Sequence, residues 1–165
     1  MKTASDPIIF LDIDGVLCTQ HPWKPGVIAE DGYSAFNEQC VQNLNRLIAR
    51  TGAKVILTSS RRINKTIAEF EAIMRRRGFR GEIVGKINEH TELNQSSRSA
   101  EIVAWLEKNG EPRRYVILDD DTRLAELGER YLPHWVRTAY HRGLDEEALE
   151  RALRILNESL MGLLR

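Results

Sequence analysis

The chain has 165 residues and a mass of 18.9 kDa, which is length for one domain spanning residues 1–165 with a substantial buried core. Lys plus Arg and Asp plus Glu number 24 each, so no net charge draws the molecule to nucleic acid or to an anionic membrane. Cys18 and Cys40 form no C-x-x-C pair, and no apolar run approaches the roughly 18 residues of a membrane span. A disulfide scaffold, a cysteine zinc site and a membrane partner are thereby excluded. Residues 1–7 are polar and carry no apolar signal core, so the expected compartment is a reducing cytoplasm.

In chain order, Ile8-Ile9-Phe10-Leu11 opens a short, continuous apolar run, which reads as a strand buried on both faces. It ends in Asp12-Ile13-Asp14-Gly15. Residues 18–36 hold Pro22, Pro25, Gly26 and Gly32 with Trp23, Tyr33 and Phe36, and read as an irregular loop. Residues 37–50 place Val41, Leu44, Leu47 and Ile48 on one helical face, with Gly52 where a C-cap belongs. A second buried strand, 53–57, ends in Thr58-Ser59-Ser60-Arg61-Arg62. Ile67, Phe70, Ile73 and Met74 mark a second helix that stops near Gly78; its end carries Arg75, Arg76, Arg77 and Arg80, a run that reads as solvated. Residues 82–86 are a weaker strand, and 88–97 a polar loop. A third helix, 98–108, is capped by Ser97 or Ser99. Tyr115-Val116-Ile117-Leu118 is another buried strand, ending in Asp119-Asp120-Asp121, with Asp121 read as loop. A short strand near 134–138 precedes a last helix, capped by Asp145 and burying Leu149, Ala152, Leu156 and Leu160.

Strands alternating with helices predict a three-layer α/β/α, Rossmann-like fold with a parallel central sheet. In such a sheet ligands bind beyond the carboxyl ends of the strands. That rule alone gathers Asp12, Asp14, Thr58, Ser59, Asp119 and Asp120 into one crevice. Several carboxylates there repel one another unless a cation offsets them, and oxygen-only ligands suit a hard ion such as Mg2+, which also takes phosphate oxygens. A calcium loop beginning at Asp12 would need Asp or Asn at position 16 and Glu at position 23; Val16 and Trp23 stand there.

These segments resemble the haloacid dehalogenase (HAD) superfamily of phosphohydrolases. Phe10-Leu11-Asp12-Ile13-Asp14-Gly15-Val16-Leu17 matches its first motif, Val55-Ile56-Leu57-Thr58 the second, Arg98 the basic third, and Val116-Ile117-Leu118-Asp119-Asp120 the acidic fourth. The stretches 51–62 and 98–106 resemble a compact branch, the phosphatase-type domain of Swiss army knife RNA-repair proteins. That branch usually shows Ser-Ser-Trp-Arg; here Arg61 replaces the Trp and Arg62 matches. The tail Thr138-Ala139-Tyr140-His141-Arg142-Gly143-Leu144 is similar too, with Asp145 where the branch commonly has Thr.

The resemblance implies a covalent mechanism. Asp12 is the nucleophile and forms an aspartyl phosphate, while Asp14 is the acid and base. Thr58 donates to a phosphoryl oxygen, and Ser59, Gly15 and Arg62 contact substrate. Arg98 is the cation, with Lys86 as the rival. Mg2+ is held by Asp12, the Asp14 backbone carbonyl, and Asp119 or Asp120. The gaps at 16–36 and 63–97 leave no room for a folded cap, which implies an open site for a phosphate on a large molecule, such as a nucleic-acid end or a phosphoprotein, or for a nucleotide or other small substrate enclosed by an oligomer partner. Trp23, Tyr33 and Phe36 would offer a stacking surface for a base. A phosphotransferase, or a phosphate-binding module without turnover, are the alternatives.

Overall fold

The computed structural model describes residues 6–20, 26–59, 65–87 and 97–163. Five parallel strands form one sheet: β1 (Ile8–Leu11), β2 (Lys54–Leu57), β3 (Ile83–Lys86), β4 (Tyr115–Asp119) and β5 (Trp135–Arg137). Their spatial order is β3-β2-β1-β4-β5. The three central strands, β2, β1 and β4, are the apolar runs, as expected where both faces are covered.

Alternate residues of these strands enter two separate cores. Ile9, Leu11, Val55, Leu57, Val116 and Leu118 face α1 (Glu38–Thr51), α2 (Ile67–Arg76) and α4 (Glu146–Leu163). Phe10, Ile56, Tyr115 and Ile117 face α3 (Arg98–Asn109) and a 3-10 helix at Thr122–Leu127. This period of two is the physical basis of the three layers. No helix among the described residues is long and apolar enough to cross a membrane.

Helix boundaries follow their caps. Asn37, read as the first helical residue, is instead the N-cap of α1, its side chain accepting from the Cys40 amide. Ser97, not Ser99, caps α3 by accepting from the Ala100 amide. Asp145 accepts from the Ala148 amide at the start of α4. Leu160 lies outside the residues whose side chains are described.

Two expectations need correction. Arg77 is not solvated: its side chain is 8% exposed and makes a double hydrogen bond with Asp31 at 2.7 and 2.8 Å. It also donates to the Ser34 and Tyr33 carbonyls, clamping a small antiparallel hairpin at 27–35 onto the end of α2. Tyr33 and Phe36 do not present a free stacking face. They pack edge-on against each other, Tyr33 meets Phe70 of the core, and Arg77 lies over both rings. Trp23 lies outside the described residues.

Candidate active site

The strand register builds the site. Leu11 pairs with Leu57 on one side and with Leu118 on the other. The next residue of each strand, Asp12, Thr58 and Asp119, is therefore level at the carboxyl edge of the sheet. The Asp12 amide donates to the Leu118 carbonyl and the Thr58 amide to the Leu11 carbonyl, which carries the ladder one residue further. Asp12 is 3% exposed and Asp119 fully buried.

Beyond Asp12 the chain makes a tight turn, with the Val16, Leu17 and Cys18 amides converging on the Ile13 carbonyl. Ile13, Val16 and Leu17 anchor this turn in the core. Gly15 adopts φ +81°, where side chains are strained, and a Cβ there would collide with the Asp120 carboxyl group. The turn thus lies directly against Asp120.

Carboxylate oxygens of Asp12, Asp119 and Asp120 lie within 4.8 Å of one another. Arg98, the first residue of α3, reaches over them. Its Nη1 lies 3.2 Å from Asp12 Oδ2 and 3.0 Å from Asp119 Oδ2, and the Arg98 side chain is 19% exposed. A cation at a helix N-terminus is opposed by the helix dipole. Burial opposes the charge of Arg98 as well, but Asp119 and Asp12 outweigh it and hold the pKa above the ordinary value. Lys86, the rival cation, donates to the Lys65 carbonyl at 2.6 Å.

Burial and mutual repulsion disfavour the ionised carboxyls. Burial first, then the charge of Asp119, pushes Asp12 up to about 8 although Arg98 pulls the other way. Asp120 is raised to about 6 by the same two causes. Burial also raises Asp119, despite Arg98 and the Asp121 amide, which donates to its Oδ1 at 3.0 Å. Such a site wants protons or a cation. Its all-oxygen donor set fits a hard divalent ion such as magnesium.

A cavity of about 450 Å3 opens above this floor, lined by Asp12, Asp14, Arg98, Asp120, Asp121, Thr122 and Arg123. Asp14 lies in its wall, outside the three-carboxylate cluster. Thr58 and Ser59 are buried at the end of β2 and do not line the cavity among the described residues. Arg62 lies outside the described residues.

The family described as the HAD domain in Swiss Army Knife RNA repair proteins matches residues 8–149. The chain belongs to this family. The match runs from the first residue of β1 into α4, so it takes in the whole sheet and every described residue of the site. Membership in a HAD enzyme family places the chain among proteins of phosphohydrolase type. No curated protein matches the chain.

Sequence reasoning gave no site role to three residues at or behind this cavity. Thr122 and Arg123 follow the acidic strand end and line the cavity; Asp121, read as loop, N-caps the 3-10 helix and pairs with Arg123 at 2.8 Å. The spacing of Leu124 and Leu127, both buried, is the signal that marks this helix. Thr138 is the third residue. Its internal hydroxyl donates to the Gly15 carbonyl at 2.6 Å.

Proposed function

We propose that this chain is a magnesium-dependent phosphomonoesterase that works through a phosphoryl group carried on Asp12. The observation that supports it is the convergence of Asp12, Asp119 and Asp120 at the carboxyl ends of adjacent, register-matched strands, with Arg98 against two of them. The ion would be held by the Asp12 carboxylate, the Asp14 backbone carbonyl, and Asp119 or Asp120. When bound, it supplies positive charge between the nucleophile and the phosphate, which otherwise repel.

An Asp12 oxygen attacks phosphorus, and the ester P–O bond breaks with its electron pair leaving on the alcohol oxygen. Asp14, in the cavity wall, gives that oxygen a proton. Water then attacks the phosphoryl group while Asp14 takes its proton back, and the bond to Asp12 breaks. Arg98 stabilises the charge on the transferring oxygens and holds Asp12 in place. Thr58, level with Asp12 at the end of β2, donates to a phosphoryl oxygen once substrate is bound.

The substrate is a phosphate at the end of a large molecule, and an RNA end is the reading the family description favours. The described residues between the first motif and α1 fold only into the turn and the hairpin, and those between β2 and α3 only into α2 and β3. None of these described elements encloses a small substrate. Release of inorganic phosphate from 5′- and 3′-phosphorylated oligoribonucleotides, with magnesium and with chelator, tests this. Turnover lost in chelator and restored by magnesium is expected. Equal turnover under both conditions removes the metal from the mechanism.

A further inference from the structure

The ladder between β1 and β4 ends at the Asp12 amide, yet the cluster depends on residues past that point: the Asp14-Gly15 turn on one side and Asp119-Asp120 on the other. Thr138 sits across this gap. It is the residue after β5 and is 3% exposed. Its amide donates to the Asp119 carbonyl at 3.1 Å, and its hydroxyl donates to the Gly15 carbonyl at 2.6 Å. One residue therefore fixes the peptide plane leading into Asp120 and the peptide plane after Asp14-Gly15.

Those planes matter because Gly15 and Asp120 are in contact. The space a Gly15 Cβ would need is filled by the Asp120 carboxyl group, so a tilt of the turn moves against that carboxylate. The position of Thr138 is itself fixed. The Trp135 indole donates to the same Asp119 carbonyl at 3.0 Å, using its second lone pair. Downstream, the Arg142 and Gly143 amides close a turn on the Ala139 carbonyl. The Leu144 amide then donates to the Val16 carbonyl at 2.8 Å, and Asn43 of α1 holds the Leu144 carbonyl at 2.9 Å. Residues 138–144 thus form a bracket around the back of the first-motif turn, and Thr138 is the residue that ties this bracket to the acids.

We propose that Thr138 is a positioning residue for the divalent-cation site, acting through the Gly15 and Asp119 carbonyls rather than on substrate. This rests on the reading of the acidic cluster as a magnesium site. Groups that orient metal ligands typically influence metal affinity by about 10–100-fold. Removing the hydroxyl leaves the Gly15 carbonyl without its donor and frees the turn to tilt, so the donors no longer meet one ion in a fixed arrangement.

The test is direct magnesium binding by calorimetry to wild type, Thr138→Val and Thr138→Ser, with the metal-free melting temperature of each measured separately. Thr138→Val keeps the shape and removes the donor; Thr138→Ala serves if the Val protein does not fold. The expected result is a loss of magnesium affinity of about 10-fold or more in Val or Ala and recovery in Ser. Turnover should shift in the same way: the magnesium concentration for half-maximal rate rises more than the maximal rate falls. Wild-type affinity in the Val or Ala protein overturns the role of Thr138 and leaves the metal site standing, even if the melting temperature has dropped. Absence of magnesium binding by wild type overturns both.

Discussion

Arg98 begins a helix, the least favourable end for a cation, and the two carboxylates beneath it explain why it is there. If this guanidinium stabilises the transferring phosphoryl group, Arg98→Ala lowers turnover by on the order of 10²–10³-fold, the scale of losing one transition-state donor. Lys86→Ala, which removes the bond to the Lys65 carbonyl, should change turnover little. Measuring both alanine variants at saturating magnesium separates them, and the reverse pattern moves the assignment to Lys86. Asp14 makes a different prediction. In the proposed mechanism Asp14→Asn keeps the nucleophile and removes the proton donor, so its loss, typically 10²–10⁴-fold for a general acid, should be large for an alkyl ester. An aryl phosphate, whose leaving group needs little protonation, should suffer less in the first step. Equal losses on both substrates would count against Asp14 as the acid.

At the scale of elements, the site is the consequence of strand register. Apolar runs ending in Asp, Thr and Asp were legible in the sequence, because fully buried parallel strands have a continuous apolar signature. The gathering of Asp12, Thr58 and Asp119 at one edge of the sheet followed from topology. The features hidden from sequence reading were long-range pairs. Arg77 reads as part of a basic run because its partner, Asp31, is 46 positions away in a loop. Thr138 is 123 positions from Gly15, and nothing local marks the hydroxyl as internal. Tyr33 and Phe36 likewise look available until α2 is placed behind them. The Arg77 clamp carries its own prediction. Arg77→Ala strands the half-buried Asp31 carboxylate, which the guanidinium now holds well below the usual carboxylate range. The melting temperature should fall and limited proteolysis should newly cut within 26–36; an unchanged cleavage pattern would show that the hairpin is held by other contacts.

For the molecule as a whole, the acidic cluster couples stability to pH. Asp12 at about 8 and Asp120 at about 6, against 3.8 for an ordinary Asp, mean that the folded protein holds protons the unfolded chain has released. Their contribution is complete below about 3.8 and is lost as pH rises through about 6 and then about 8. Asp121 and Glu146 are shifted the opposite way by Arg123 and Arg46, so their effect appears only in more acid solution. The metal-free protein should therefore melt at a lower temperature at pH 8.5 than at pH 5.5. If the cluster holds magnesium as proposed, the ion should recover the difference at the higher pH, because metal ligation requires deprotonated carboxylates. By the same reasoning Asp120→Asn should raise the metal-free melting temperature at pH 8 by about 1–4 °C. A metal-free protein that gains stability across that pH range would show that the cluster does not carry this strain.

Whether a phosphoryl group passes through Asp12 is tested by quenching the protein during turnover of a 5′- or 3′-labelled phospho-oligoribonucleotide and locating the label by mass spectrometry. The expected result is a magnesium-dependent, hydroxylamine-labile phosphate on Asp12, absent in chelator and absent in Asp12→Asn. Phosphate release that continues unchanged in Asp12→Asn, with no label on the wild-type chain, would contradict it.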